Sequence, residues 1–139
     1  MTVTTTSIQV STRGNADMVN VTDQVVTAVR DSGMKDGIVT IFTPSSTSAL
    51  TTIEYETGCL SDLRRLFDEI VSPEQHFAHN ARWGDGNGHS HVRAALIGAS
   101  FTIPFVDKRL TLGTWQQIIL IDFDNRSRSR ELVVQMLGE

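Results

Sequence analysis

The sequence predicts an α+β fold: a single domain, residues 1–139, with antiparallel β-sheets arranged as a sandwich or barrel and a few short helices. Three observations support this prediction. The chain begins with a β-branched stretch of alternating character. Two later segments have the apolar spacing of amphipathic helices, and the C-terminal part consists of apolar runs separated by short polar turns. Because tight turns join antiparallel strands, they also predict the type of sheet.

Size and composition restrict the class of protein. With 139 residues, 40% of them hydrophobic and 20% charged, the chain has the balance of a globular domain. A net charge of −4 gives no electrostatic reason to expect nucleic acid or an anionic membrane as a partner. The single cysteine, Cys59, excludes an internal disulfide, and residues 1–20 lack the pattern of a secretory signal. A cytoplasmic location is therefore expected.

The first strand is predicted over residues 3–12, VTTTSIQVST, where β-branched residues alternate with other side chains. A helix is predicted next, in the segment VTDQVVTAVRDSG. Thr22 can cap its start and Gly33 can end it. The apolar face of this helix is formed by Val25, Val26 and Val29.

Two strands and a second helix follow. Residues 36–44, DGIVTIFTP, are almost entirely apolar, which predicts a strand buried on both faces. Residues 49–56, ALTTIEYE, predict a strand of alternating character. Ser61 then precedes a short helix with Asp62 in its first turn and Pro73 beyond its end. A core-facing stripe is predicted on this helix from the spacing of Leu63, Leu66, Phe67 and Ile70.

The C-terminal half is predicted to contain a loop, a short helix and three strands. Residues 74–88 show no periodicity, and a structureless loop of this length is usually functional or mobile. Residues 90–100, SHVRAALIGAS, are compatible with a short helix. The strands, joined by turns at DKR and DNRS, are predicted to form a β-meander over residues 100–106, 110–123 and 130–138.

All four histidines of the chain lie between positions 76 and 91, and histidine is the usual side chain for metal ligation and for proton transfer near neutral pH. His89 and His91 follow the glycine-rich stretch GDGNG. If this segment is extended, both imidazoles project from one side, about 7 Å apart along the strand, and can share a metal. In a helix they would diverge by about 200°. The glycines favour the extended conformation; the alternative is a loop with solvated histidines.

Small hydroxyl residues join the second and third predicted strands. Ser45, Ser46, Thr47 and Ser48 can bind an anion through hydroxyl and backbone N–H groups, although such residues more often satisfy the turn itself. Glu54 follows in an otherwise uncharged β segment, where a buried carboxylate needs a partner. If Glu54 points inward, histidine or a metal is its natural partner, and if it points outward, solvent is.

Two further groups lie near the C-terminus. Trp115 and Gln116, in LGTWQQ, can bind a flat heterocycle by stacking and polar contacts, although a tryptophan more often packs in the core. Arg126, Arg128 and Arg130 occupy alternate positions and therefore one side of an extended segment. Solvent exposure is the default expectation for these arginines, and an oligomer contact or a phosphate is the alternative.

Three segments carry a family resemblance: NGHSHVRAALIGASFTIPFVDKRLTLGTWQQIILIDFD, IVTIFTPSSTSALTTIE and QMLGE. Together they resemble the YjbQ-like family, small uncharacterised proteins also called secondary thiamine-phosphate synthases. The resemblance covers about residue 3 to residue 139. It implies the family's α+β fold with antiparallel sheets and assembly as a homotrimer. It also implies a weak activity that joins an aminopyrimidine methyl diphosphate to a thiazole phosphate and releases pyrophosphate.

Family motifs assign roles by resemblance. An H-N pair matches His79 and Asn80, and a histidine before an apolar run matches His91. The glutamate after the first loop matches Glu54, and a GTWQ element matches residues 113–116. His91 and Glu54 are therefore expected to be catalytic. The expected metal ligands are His79, His89 and His91, and the expected substrate-binding residues are Ser45, Ser46, Thr47, Asn80, Asn87, Trp115 and Gln116.

The chain departs from the family pattern at the first loop. Many members have a histidine where this chain has Ser45, and an aspartate where it has His89. One hypothesis is a swap, in which the imidazole absent at position 45 is supplied by His89 within one pocket. That pocket would also contain His79, His91 and Glu54.

The expected function is an enzyme that acts on a small phosphorylated molecule, similar to thiamine-phosphate synthase, with a metal or histidine stabilising the leaving pyrophosphate. A histidine-rich pocket suits zinc or another divalent transition metal better than magnesium, which prefers carboxylates and water. A metal-assisted hydrolase is an alternative. A second alternative is a non-catalytic trimer that binds a metal or a small ligand.

Overall fold

The structure is a computed structural model and describes residues 1–139. None of its helices combines the length and the apolar character that crossing a bilayer requires. Its elements are, in chain order, β1 (Thr2–Thr12), β2 (Asp17–Asn20), α1 (Thr22–Asp31), β3 (Gly37–Phe42), β4 (Ser48–Ile53), α2 (Thr57–Ile70), α3 (Ala78–Trp83), α4 (Gly88–Ile97), β5 (Ser100–Val106), β6 (Arg109–Leu110), β7 (Gln117–Asp122) and β8 (Arg128–Gly138).

The strands form two antiparallel sheets. One has five strands in the order β1-β8-β3-β5-β6, and the other has three in the order β2-β7-β4. The two ends of the chain meet in the larger sheet, where β1 pairs with β8 from Thr2 opposite Gly138 to Thr12 opposite Arg128. The predicted α+β class with antiparallel sheets and short helices is confirmed.

β7 contributes to both hydrophobic clusters of the molecule. Ile118 and Leu120 belong to a cluster of 16 buried residues that also includes the inner face of the five-stranded sheet and α1. Ile119 and Ile121 belong to a cluster of 8 buried residues that includes side chains of α2 and α4. Burial on both faces explains why this strand is a continuous apolar run.

β3 is buried on one face only, which corrects the prediction for residues 36–44. Val39 and Ile41 are fully buried, whereas Ile38 is 40% and Phe42 42% exposed. The reason is that β3 lies inside the five-stranded sheet, whose outer side chains are exposed on the neighbouring strands as well. No element of the chain covers this outer face.

The C-terminal strands do not form the predicted β-meander. β5 pairs with β3 and, through a two-residue turn at Asp107 and Lys108, with β6. β7 then crosses to the three-stranded sheet, and β8 returns to pair with β1 and β3. Turn composition located the strand ends, but it carries no information about the partner of a strand. The doubly buried β7 requires a position between two layers.

The first helix is confirmed, but Thr22 is its first residue rather than its predicted cap. The Thr22 backbone N–H donates to Oδ1 of Asn20, at 3.0 Å, while its hydroxyl oxygen accepts from the Ile118 backbone N–H, at 2.8 Å. Thr22 therefore ties the helix to β7. The helix ends at Asp31, close to Gly33, whose φ of +76° suits glycine.

The second helix is longer and less buried than predicted. It begins at Thr57 rather than after Ser61, because the Glu56 carboxylate accepts the first free backbone N–H groups, those of Gly58 and Cys59. The expected core-facing stripe is only partly buried: Phe67 is 1% exposed, but Leu66 is 46% and Ile70 49% exposed.

Residues 74–88 are not a structureless loop, which is a further correction. They contain α3, which ends at Gly84 in the left-handed conformation. α4 begins only four residues later, at Gly88. His79 therefore lies in α3, and His89 and His91 lie in α4, whereas His76 precedes α3.

Candidate metal centre

Three side chains from α3, α4 and the turn between them converge. They are His79, Asp85 and His91, whose candidate ligand atoms all lie within 4.8 Å of one another. Nδ1 of His79 is 3.2 Å from Oδ1 of Asp85, and the two imidazole centroids are 4.5 Å apart. Two imidazoles and one carboxylate at such distances form a set that a single divalent ion can bridge.

The turn between the helices fixes the carboxylate. Gly84 and Gly86 have φ values of +66° and +65°, which favour glycine, and they place Asp85 at the apex of the turn. Oδ1 of Asp85 accepts the backbone N–H of Asn87 at 3.1 Å. The Asp85 carbonyl accepts from Nδ2 of Asn125 at 2.8 Å. One hydrogen bond from within the turn and one from Asn125, after β7, therefore hold Asp85 in place.

A close contact between the helices brings the histidines together. The backbone N–H of Gly88 donates to Oδ1 of Asn80 at 2.8 Å. A Cβ at position 88 would lie 2.5 Å from Cβ of Phe77, which is far inside van der Waals contact. Glycine at this position therefore lets the first turn of α4 lie against α3.

The chemistry of this group fits a transition metal. Nδ1 of His79 is buried and makes no hydrogen bond, although Asp85 is close by. A buried polar nitrogen without a partner is costly, and coordination would satisfy it. The Asp85 side chain is 47% and that of His79 32% exposed. Solvent or a substrate can therefore reach the group, as an open coordination position requires.

His89 lies apart from this group because the segment is helical, which corrects the extended conformation predicted for residues 89–91. His89 is 6% exposed, with its ring centroid 6.3 Å from that of Phe77. Burial lowers the pKa of His89, and the positive charge of Arg93 lowers it further, against an opposing effect of Asp68. His89 is therefore a neutral, buried imidazole, and its Nδ1 has no hydrogen-bond partner.

A cavity of about 400 Å³ adjoins His91. Across it lie Ser45 and Ser46, in the loop before β4, and Ser48, the first residue of β4. Its remaining wall consists of small residues of α4 and of the segment that follows, namely Ala94, Ala95, Gly98 and Ala99. The histidine that shares this cavity with Ser45 is His91. The proposed swap of Ser45 and His89 therefore has no counterpart in the cavity, because His89 packs on the other side of α4.

Thr47 faces inward and joins a buried charged network. Its hydroxyl donates to Oδ2 of Asp124 at 3.0 Å and accepts from Nη2 of Arg130 at 2.8 Å. Arg130 also binds both carboxylate oxygens of Asp122, at 2.8 and 3.0 Å. The network anchors the loop between β3 and β4, residues 43–47, to the end of β7. This loop is called the serine loop below.

This network corrects the default expectation of solvent-exposed arginines. Of the three arginines, only Arg126 is exposed without an ion pair. Arg128 pairs with Asp124 and Arg130 with Asp122, and the side chains of these two aspartates are at most 2% exposed. Burial acts to raise the pKa of Asp124, but the Thr47 hydrogen bond and the Arg128 charge outweigh it. The pKa of Asp124 therefore lies below its ordinary value.

Three of the predicted site residues lie near the end of β4 that is farther from the serine loop. They are Glu54, Trp115 and Gln116. Glu54 is exposed just beyond Ile53, and Nε2 of Gln116 donates to the Thr52 hydroxyl at 3.0 Å. Glu54 follows Ser48 by six residues, which corresponds to about 20 Å along an extended strand, and Thr52 follows Ser48 by four, about 13 Å. Trp115 is 73% exposed and does not pack in the core. Within one chain, Glu54 and His91 are not brought together.

The two asparagines predicted to bind substrate have their side-chain oxygens engaged. Oδ1 of Asn80 accepts from Gly88, and Oδ1 of Asn87 accepts from the Asn125 backbone N–H at 3.2 Å. Asn87 is 7% exposed. His76, the remaining histidine, is exposed and lies outside the group.

Residues 6–139 match the family described as UPF0047 protein YjbQ-like. The chain belongs to this family. A UPF0047 protein of Methanothermobacter thermautotrophicus is 33% identical over 139 residues, which cover all of this chain and 95% of the relative. The resemblance found in the sequence is confirmed.

Solved structures of two relatives have the same fold. A YbjQ-like protein of unknown function from Sulfolobus solfataricus P2 superposes with a TM-score of 0.94, 36% identity and 99% coverage of both chains. A hypothetical protein, APE1520, from Aeropyrum pernix K1 superposes with a TM-score of 0.90 at 32% identity, over 98% of this chain and 99% of its own.

Sequence reasoning missed one member of the metal group in this YjbQ-like chain, namely Asp85. A signal was present: Asp85 lies midway between His79 and His91, six residues from each, inside the glycine-rich stretch. Carboxylates are ordinary zinc ligands alongside histidine. The predicted extended segment instead favoured His89 and His91 as joint ligands.

Proposed function

We propose that this protein is a metal-dependent enzyme that acts on a small phosphorylated molecule. The observation that carries the proposal is the convergence of His79, Asp85 and His91, with ligand atoms within 4.8 Å of one another and a buried Nδ1 of His79 that makes no hydrogen bond. These three residues would hold a divalent transition metal. A bound ion of this kind supplies Lewis acidity toward a phosphate or carbonyl oxygen.

The composition of the site favours an enzyme over a structural metal protein. Structural zinc sites are closed by four protein ligands, whereas catalytic sites offer three and leave a position open. Here three ligands are available, and the Asp85 side chain is 47% exposed. Two imidazoles and one carboxylate suit zinc or a similar ion better than magnesium.

The adjoining cavity supports a phosphorylated substrate. Its volume of about 400 Å³ suits a small molecule, and His91 belongs to both the cavity and the metal group. Ser45 and Ser46 line the same space, and serine hydroxyls can donate to phosphate oxygens. Thr47, held between Asp124 and Arg130, fixes the position of this loop.

Two reactions are candidates at this site. The family resemblance suggests transfer similar to that of thiamine-phosphate synthase, in which a diphosphate leaves as a thiazole phosphate is joined to an aminopyrimidine. The histidine-rich ligand set favours a second candidate, metal-assisted hydrolysis of a phosphate ester. Both place the phosphate of the substrate at the serine loop beside His91, so they share one binding site and differ in the attacking group.

A homotrimer is part of the proposal. Glu54 follows the end of β4, whereas His91, on α4, shares a cavity with the serines at the start of β4. The two residues can serve one substrate only if a neighbouring subunit brings these regions together. The uncovered outer face of the five-stranded sheet offers a surface for self-association. We also place the protein in the cytoplasm, where its free cysteine, Cys59, would stay reduced.

Elemental analysis of the purified protein tests the metal site. About one equivalent of a transition metal per chain is expected. His79→Ala, Asp85→Asn and His91→Ala should each lose most of it. His76→Ala removes an exposed histidine outside the group and should keep a full equivalent.

Activity assays then separate the candidate reactions. Formation of thiamine phosphate from the two precursors would identify the transferase. Release of phosphate from small esters, dependent on added zinc and abolished in His91→Ala, would identify the hydrolase. A metal that is bound stoichiometrically without either activity would favour the non-catalytic binding protein, and the absence of metal after gentle purification would contradict the proposal.

A further inference from the structure

A groove separate from the metal group runs between α1 and β1. It has a volume of about 670 Å³. One side is the stretch of β1 from Thr4 to Gln9, and Met136 lies at its base. The other side consists of polar and small side chains of α1 and the residue after it, namely Asp23, Gln24, Thr27, Ala28, Asp31 and Ser32.

β1 is an unprotected edge strand. It pairs only with β8, so the outward backbone N–H and C=O groups along its 11 residues have no strand partner. Residues 2–12 contain no charged residue and no proline, which are the usual devices that prevent edge pairing. The opposite edge of the same sheet, β6, has only two residues.

We propose that β1 receives an extended basic peptide segment of a partner protein as an additional strand of the five-stranded sheet. Backbone hydrogen bonds to the edge of β1 would supply affinity. Alternate side chains of the peptide would enter the groove beside α1 and supply specificity. This site is independent of the metal group, and the proposal does not depend on the enzymatic function.

The charge of the groove favours a basic partner. Asp23 and Asp31 are its charged lining residues, and no lysine or arginine lines it. Asp31 contacts Arg30 through an exposed ion pair at 3.3 Å, with side chains 66% and 65% exposed, whereas Asp23 has no cationic partner. An exposed pair of this kind contributes little and exchanges readily.

The spacing of the carboxylates matches a strand. Asp23 and Asp31 are eight positions apart on a helix, which corresponds to about 12 Å along its axis. Residues i and i+4 of an extended peptide are about 13 Å apart and point to the same side. Lysine or arginine at i and i+4 would therefore reach both carboxylates. A second copy of β1 fits less well, because residues 2–12 include no cation.

Peptide binding tests the proposal. The probe is a fluorescein-labelled nonapeptide, Thr-Val-Thr-Lys-Thr-Val-Thr-Lys-Thr, measured by fluorescence anisotropy with the full-length protein. The same peptide with glutamate at both lysine positions should bind at least about tenfold more weakly. A version with N-methylated backbone amides should not bind, because it cannot pair with an edge strand. Hydrogen exchange of β1 amides should slow when the lysine peptide is added.

Matched variants separate the groove from general attraction to an acidic protein. Asp23→Asn with Asp31→Asn should reduce binding of the lysine peptide to the level of the glutamate peptide. Asp62→Asn with Glu69→Gln removes two exposed carboxylates of α2 and should leave binding unchanged. Equal loss in both double variants, or equal binding of the N-methylated peptide, would overturn the proposal. Protection of β1 amides that rises with protein concentration alone would show that a second copy occupies the edge, and would also overturn it.

Discussion

His89 and His91 have different surroundings, although a single residue separates them. α4 carries their side chains to different sides, so that His91 adjoins the metal group and the cavity while His89 packs near Phe77. The imidazole of His89 stays neutral because burial and the charge of Arg93 lower its pKa. Proximity in sequence therefore does not imply a shared role for the two histidines.

His89→Ala should retain metal and lose stability. The substitution removes a buried ring and leaves space that its neighbours fill only in part, so the free energy of unfolding should fall by about 2 kcal/mol. His91→Ala should show the opposite pattern, loss of metal with little change in stability of the metal-free protein. Elemental analysis and urea denaturation of the metal-free proteins measure both quantities. Loss of metal in His89→Ala at unchanged stability would contradict this assignment.

The depressed pKa of Asp124 predicts a dependence of stability on pH. Because its pKa in the folded state lies below the ordinary value of 3.8, the ionised carboxylate stabilises the fold at neutral pH. That contribution is fully present above the unfolded value and is lost as the pH falls through the lower folded value. The Tm difference between the native protein and Asp124→Asn should therefore be largest near neutrality and shrink below about pH 4. A difference that grows on acidification would contradict this account.

The individual residues of the site were only partly predictable. Histidines at 79 and 91 could be selected because imidazole is a metal ligand whatever the fold. The equal spacing of Asp85 from His79 and His91 marks it as a candidate, but only the folding of α3 against α4 shows that this spacing brings the three side chains together. The pairing of Arg130 with Asp122 was equally hidden, since it depends on the exit of β7 and the return of β8.

At the scale of elements, the junction of α3 and α4 controls the metal group. Gly88→Ala would introduce a Cβ 2.5 Å from Cβ of Phe77, and the two helices would have to separate. Metal affinity should fall about tenfold or more, because the ligands lie on both sides of the junction. Gly113→Ala is the matched control, since a Cβ there meets only ordinary contacts at 3.7 Å or more. Isothermal titration with zinc gives the affinities; equal values for the two variants would contradict the proposed role of Gly88.

Local patterns located the elements better than they paired them. β-branched alternation and turn residues marked the positions of β1, β5 and β8, because these signals are local. Pairing is decided by which apolar faces must meet. β7, which is apolar on both faces, pairs with β2 and β4. β3 was predicted to be buried on both faces because Ile38 and Phe42, two of its outer side chains, are apolar.

For the whole molecule, the outer face of the five-stranded sheet is a partly apolar surface that the single chain leaves uncovered. Two apolar rows cross it. One contains Val3, Leu137, Ile38 and Pro104 in register on adjacent strands, and the other contains Val133 and Phe42. Between them lies a polar row with hydrogen bonds from Gln135 to Thr5 and between Thr40 and Thr102. An exposed apolar surface of this kind is typical of a protein contact.

Phe42→Glu should convert the proposed homotrimer into a monomer. Phe42 is 42% exposed in the single chain, so a glutamate there can reach water and should leave the monomer folded. In an interface the same carboxylate would be desolvated without a partner, which costs several kcal/mol per subunit. Sedimentation velocity should show a shift from trimer to monomer with an unchanged circular dichroism spectrum. Val26→Glu, at a residue of α1 that is 41% exposed, is the control and should remain trimeric. A trimer that survives Phe42→Glu would show that the subunits associate through another surface.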